Sequence, residues 1–300
     1  MGISVYKIKK WTKMILGNSI SHVNQGEGKI YSKEEVKGYY NDLTEKVTKR
    51  ENIGSEVPLS SVDTGEKINF SIEIFQYGLG AYDLYLLNDD KSMIEKVKAS
   101  ADWAVNNQNE DGSWVTFAYE QPNHPYSSMA QGEGISLLLR AHILLKDDRY
   151  LHSAKKAFMF MIKQLEEGGT TKYDGNDIYF YECTEDPLIL NGWIFSIWGV
   201  YDYHKFFRDE NSRGILFRTL NSLEKKLADF DLGYWSKYED GKRICSPFYH
   251  RLHVSQLSVM FMLFEKETYK YYAEKWNKYE KNTLYKIRAF VIKAIQKIME

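Results

Sequence analysis

The sequence predicts an all-α fold: an incomplete α/α barrel (a toroid) of about four helical hairpins, with long β-containing loops at one mouth. Three observations predict it. Helical periodicity dominates from residue 68 onward, and only five prolines interrupt 300 residues. The helices alternate in character, one apolar nearly all round and the next amphipathic. The connections alternate too, short within a pair and long between pairs.

The pattern places eight helices at roughly 68–87, 91–107, 128–146, 149–165, 188–207, 210–228, 250–264 and 267–280, and a ninth at 283–299. Segments 128–146 (SMAQGEGISLLLRAHILLK) and 188–207 (LILNGWIFSIWGVYDYHKFF) are apolar nearly all round, so they belong inside. Segment 149–165 keeps Leu151, Ala154, Phe158, Ile162 and Leu165 on one stripe, with Lys155, Lys156 and Lys163 outside it, as an outer helix should. The long connections, 108–127, 166–187 and 229–249, are rich in Trp, Tyr, Asp and Gly, and loops of that length are usually functional. Each feeds the N-terminus of an inner helix. They should therefore gather residues 126–131, 179–191 and 234–256 around a single mouth. Three regions result: an N-terminal arm over 1–67 that packs on the barrel, the catalytic barrel over 68–282, and a basic amphipathic helix over 283–300. Within the arm, SKEEVKGYYNDLTEKVTKR (32–50) reads as a charged helix or an extended strap.

Composition narrows the function classes. Forty Lys+Arg against 41 Asp+Glu leave a formal charge of −1, so no global field points to nucleic acid or membrane. The 23 tyrosines and 7 tryptophans suit a sugar cleft, although packing between helices accounts for most of them. Cys183 and Cys245 form neither a disulfide framework nor a zinc-ligand spacing, which favours a reducing, cytoplasmic compartment. No 18-residue apolar run predicts a transmembrane helix, and no signal peptide is evident. Segments 6–16 and 285–299 are basic and amphipathic. Packing on the domain with solvated lysines is the commoner fate of such helices, and lying on a membrane surface is the alternative. No cofactor is expected.

Several segments carry candidate chemistry. Tyr249-His250-Arg251-Leu252-His253 opens a predicted helix and continues to Gln256, and the first turn of a helix suits an anion. His250 and His253 share a helical face, but no third metal ligand stands out, so both read as supports. Tyr179-Phe180-Tyr181-Glu182 alternates as a short strand, with Tyr179 and Tyr181 on one face and Phe180 and Glu182 on the other. Asn191 follows and can bind a hydroxyl or cap a loop. Tyr234, Ser236 and Tyr238 share a face in a strand-like stretch, and beyond it Lys242 reads as a hairpin tip and Arg243 as either part of that tip or a cation for a polyanion. Tyr126 precedes an inner helix carrying Gln131, Gly132 and Gly134. Gln131 either bonds a sugar hydroxyl or satisfies a loop, and the glycines allow close helix packing or ligand approach. Gln76 on the first inner helix has the same character. Gln108 to Trp114 (QNEDGSW) reads as a structural turn with an aromatic plug.

The stretches PYSSMAQGEGISLLLRAHILLKDDRYLHSA, LNGWIFSIWGVYDY, DLGYWSKY and YHRLHVSQL, in that order over roughly residues 70–280, resemble the catalytic helical domain of D-glucuronyl 5-epimerases, which convert glucuronate to iduronate within heparosan and heparan chains. The resemblance implies an α/α barrel, a polysaccharide groove, and proton exchange at C-5 by tyrosines and a glutamate. By motif, Tyr238 and Tyr249 fall on functional tyrosines of the family, and Tyr181 on a third when counted back from Leu190-Asn191-Gly192. The family has a Glu-Tyr pair there, whereas this chain reads Phe180-Tyr181-Glu182. The resemblance also implies a minimal, microbial-type member without the β-rich N-terminal region and membrane anchor of the animal enzymes, and analogy suggests a homodimer.

The expected chemistry is therefore uronyl 5-epimerisation on an anionic uronic-acid polysaccharide. A cation, Arg243 or Arg251, neutralises the carboxylate, and stabilising the developing enolate makes the C-5 hydrogen removable. Tyr249 serves one face and Tyr181 or Glu182 the other, with Tyr238 holding the carboxylate or tuning its neighbour. The alternatives are a uronan lyase that takes the same first step, a hydrolase using Glu182 and Asp186, and a non-catalytic glycan-binding module.

Overall fold

Four helical hairpins make up most of the chain. The computed structural model describes residues 22–50, 56–61 and 66–299. After a short helix α1 (Thr44–Thr48), the hairpins are α2 (Ser71–Asn88) with α3 (Ser92–Asn106), α4 (Ser128–Leu145) with α5 (Asp148–Met161), α6 (Leu190–Phe207) with α7 (Glu210–Lys226), and α8 (Pro247–Phe264) with α9 (Glu267–Lys281). Helix α10 (Thr283–Met299) follows. The inner members α2, α4 and α6 are buried over most of their length and α8 over half of it, while α3, α5, α7 and α9 bury one stripe. The alternation read from the sequence is the alternation of the fold.

The four hairpins turn in the same way. Each inner helix ends on a residue in the left-handed region: Asp89, Lys146, Arg208 and Glu265, with φ of 51, 57, 57 and 55°. None is glycine, so each carries the steric cost of that conformation. The inner helices then pack in the sequence α2, α4, α6, α8. Gly132 and Gly199 set the α4–α6 approach, since a Cβ on Gly199 would lie 2.3 Å from the Gly132 Cα.

The arm completes this arc. Near the C-terminal ends of α4 and α6, Arg140 bonds Asp202 at 2.5 Å and donates to the carbonyls of Lys37 and Gly38 at 2.7 and 3.0 Å. The Tyr40 hydroxyl donates to the other oxygen of Asp202, and Lys205 donates to the carbonyls of Ser32 and Glu35. At the opposite end of the barrel, Lys46 pairs with Glu73 of α2 at 2.6 Å, while the His22 ring meets Phe248 and Tyr249 of α8 edge-on. Residues 22–50 thus bridge the first and last inner helices. Only 44–48 of this strap is helical, and the Asp42 carboxylate, accepting from the Thr44 N–H and hydroxyl, forms a side-chain turn just ahead of it.

Strands are few among the described residues. β1 (Ser60–Ser61) pairs with β2 (Lys67–Ile68), and β3 (Thr171–Asp174) pairs antiparallel with β4 (Asp177–Phe180), Thr171 opposite Phe180. The predicted 149–165 helix stops at Met161. Gln164 turns extended, a 3-10 turn spans Leu165–Glu167, and Gly168 takes φ 84°. Residues 231–244 form isolated bridges rather than the predicted strand. No described helix is long and apolar enough to cross a membrane, and segment 6–16 lies outside the described residues.

Candidate active site

The three long loops and the start of α2 meet at the N-terminal ends of the inner helices, around a cavity of about 330 Å³. Glu182, Tyr238 and Tyr249 all line it, as do Lys46, Glu73 and Arg243. Each reaches it for a local reason. β4 alternates, with Ile178 and Phe180 buried, and the alternation carries on to Glu182. The Glu182 carboxylate lies against α6, where Asn191 Nδ2 is 3.4 Å from Oε2. Gly192 makes room, because a Cβ there would sit 2.2 Å from the same oxygen. Tyr249 is the third residue of α8, held by a Ser246 N-cap whose hydroxyl accepts from the Tyr249 N–H. Its ring meets that of Tyr238 edge-on, 4.8 Å between centroids.

Burial governs the electrostatics. Desolvation pushes the Glu182 carboxyl up to about 7, with Arg243 pulling it down and Asp186 adding to the rise. Both phenols are raised above their ordinary value, first by burial and then by the charge of Glu182. A hydrogen bond with Tyr238 acts the other way on Tyr249. At neutral pH the site therefore holds two neutral phenols and a carboxyl poised to gain or lose a proton. Arg243 covers the Tyr238 ring at 5.4 Å and is held by Glu239 and, at 3.1 Å, by Asp186. Lys46 is almost wholly buried at 1% exposure and is paired with Glu73, so the two reach the cavity wall as an ion pair.

Residues 106–278 match the family described as D-glucuronyl C5-epimerase C-terminus. The chain belongs to that family. A relative, the D-glucuronyl C5-epimerase of Caenorhabditis elegans, is 30% identical over 207 residues, which are 59% of this chain and 34% of that protein. The chain thus spans about a third of that relative's length. Among solved structures, a mutant unsaturated glucuronyl hydrolase from Streptococcus agalactiae superposes with a TM-score of 0.46 at 15% identity, over 70% of this chain and 55% of that one. A likeness that loose says nothing about chemistry.

The epimerase-family match includes Glu182, Tyr238, Arg243 and Tyr249, whereas Lys46, Glu73 and Gln76 lie outside it. Other residues singled out from the sequence fall in different places. Tyr181 and Tyr179 share the outward face of the hairpin, and Tyr179 packs on Trp193, so neither phenol lines the cavity. Tyr126 packs edge-on against Phe160, also away from it. Gln131 is fully buried and ties down the 108–114 turn: its side chain accepts from the Trp114 N–H and donates to the carbonyls of Gly112 and Ala157. The loop-satisfying reading is the one the structure adopts. Gln76 and Asn191 do line the cavity, and Gln76 donates to Glu133 at 2.9 Å.

His250 and His253 sit behind the cavity wall. His250 stacks on Trp235, accepts at Nδ1 from the Ser236 N–H and donates from Nε2 to the Trp276 carbonyl. Burial depresses both imidazoles to about 3, so both are neutral supports for the start of α8. Among the described residues, no group of three or more His, Cys, Asp or Glu is placed to hold a metal ion. Gln256 donates to the Asn191 carbonyl and fixes α8 to α6. Arg251 is more than half exposed and pairs with Glu280 on the outer side of α8, where it lines a neighbouring cavity. It does not line the main cavity.

Sequence reasoning missed Lys46, Glu73 and Glu133. Lys46 sits in TEKVT, within the stretch read as a charged helix or extended strap, and nothing local distinguishes it from Lys49. Glu133 is fully buried and held well above the usual carboxylate range by burial. The only available signal was an acid in the middle of an otherwise apolar inner helix.

Proposed function

We propose that the chain is a uronyl 5-epimerase, acting on glucuronate within a heparosan-like glucuronan. The observation that carries the reading is one cavity lined by a carboxyl poised near neutrality, two coupled phenols and two basic side chains, Glu182, Tyr238, Tyr249, Lys46 and Arg243. Its volume lies at the lower end of the range for small-molecule sites, about 300–1,000 Å³, which suits one sugar unit of a chain entering at the mouth.

In this reading Arg243 and Lys46, each also paired with protein carboxylates, hold the uronate carboxylate by hydrogen bonds. Electron density from the breaking C-5–H bond then flows into an enolate. Glu182, as carboxylate, takes the C-5 proton on one face. Tyr249 is a neutral phenol and donates its hydroxyl proton to C-5 from the other face, forming the new C–H bond. The phenolate left behind is stabilised by the Tyr238 hydroxyl; Glu182 then releases its proton to solvent and Tyr249 takes one back, which resets both groups. Facing Glu182 rather than Tyr181 into the cavity supports glutamate as the second acid/base group.

The test is solvent exchange. A glucuronan incubated with the chain in deuterium oxide should gain deuterium at C-5 without shortening. Tyr249→Phe should lower that exchange about a hundredfold or more while retaining binding of the oligosaccharide. An unsaturated, ultraviolet-absorbing product would instead mark β-elimination by a lyase. Absence of exchange with every uronan offered sinks the proposal.

A further inference from the structure

Among the described residues, one face of α10 is left exposed. The helix packs inward through Ala289 and Lys293, and Gln296 anchors it, accepting from the Ile244 N–H at 3.0 Å and donating to the Lys242 carbonyl at 2.8 Å. On the opposite side Leu284, Ile287, Val291, Ile295 and Ile298 follow at three- and four-residue steps, and each is between 48% and 76% exposed. That spacing is one continuous helical stripe of large aliphatic side chains in water.

Charge decides what covers it. Residues 283–299 include Lys286, Arg288, Lys293 and Lys297 and not one carboxylate. The preceding turn adds Lys278 and Lys281 against Glu280, so residues 278–299 carry six cations and one acid, a net of +5. Since the whole chain sums to −1, all its other residues together total −6. A second copy would bring this +5 segment against its own like, whereas an anionic lipid surface complements it. With Lys293 turned inward, Lys286, Arg288 and Lys297 are the exposed cations of α10 beside the apolar stripe, the pattern of an interfacial helix that does not span.

We propose that α10 lies flat on an anionic membrane surface, with Leu284, Ile287, Val291, Ile295 and Ile298 at the headgroup–acyl boundary. The packing of Gln296 against 242–244 ties this helix to the loop that carries Arg243. Docking would therefore hold the cavity mouth at the bilayer, where an anchored or extruded polymer could reach it. The inference is independent of the reaction proposed above.

The 300-residue chain is sedimented with phosphatidylcholine vesicles, with and without phosphatidylglycerol. Binding is expected only with the anionic lipid, and it should weaken as salt rises. Ile287→Glu combined with Val291→Glu should lower the bound fraction about tenfold or more, and Ile295→Glu alone should act in the same direction. Thermal unfolding of these variants should be unchanged, because all three side chains are exposed. Binding to neither vesicle, equal binding to both, undiminished binding by the variants, or a lipid-free dimer that the same substitutions dissociate would overturn the proposal.

Discussion

Glu182 is the residue on which the site turns, and its environment costs stability. Its carboxyl rises from 4.5 to about 7 on folding. As pH climbs through that window the unfolded chain releases the proton first, so stability falls, and the full cost is present above about 7. The linkage is on the order of 3 kcal/mol. Glu182→Gln should therefore unfold at a higher temperature than the parent at pH 8 and at the same temperature at pH 4, as a melting series would show. With Glu182 as base, C-5 exchange should rise with pH and level off above about 7, and that limb should vanish with the rate in the glutamine variant. The tyrosines of this site were legible because motif and helix start are local features. Tyr181 against Glu182 was not: alternation assigns residues to two faces of β4 without saying which face meets the cavity.

At the scale of elements, periodicity located the inner and outer helices closely, and burial of whole helices against single stripes follows from the same residues. The hairpin turns are less economical than they need be. Lys146 ends α4 with φ 57° and is exposed, so Lys146→Gly removes steric strain without removing a buried contact. It should stabilise the fold by about 1 kcal/mol in denaturant unfolding. The arm was the element least legible in advance. Its 32–50 segment is charged enough to suggest a solvated helix, yet most of it is a strap fixed by side chains of other helices, and such partners leave no local periodicity to read.

For the whole molecule, the strap is what joins the ends of the arc, and its main fastening is the Arg140–Asp202 pair, buried on both sides. Arg140→Met leaves Asp202 as a charge without its strongest partner. Unfolding in denaturant should show a loss of about 3–5 kcal/mol. Exchange at C-5 should fall as well, although Arg140 does not line the cavity, because the same strap carries Lys46 to it.

The sequence by itself determined the number and order of the hairpins, which helices are inner, and which loops share an end of the barrel. Each of these follows from local spacing and connection length. Only the tertiary structure decided that Glu182 faces the cavity while Tyr181 does not, that Gln131 and the two histidines brace its walls, and that Arg251 points elsewhere. It also decided that a lysine from the arm lies 2.6 Å from a glutamate of the first inner helix. Those outcomes depend on packing between residues far apart in the chain, where burial and partner geometry, rather than residue type, choose among side chains that look equivalent in sequence.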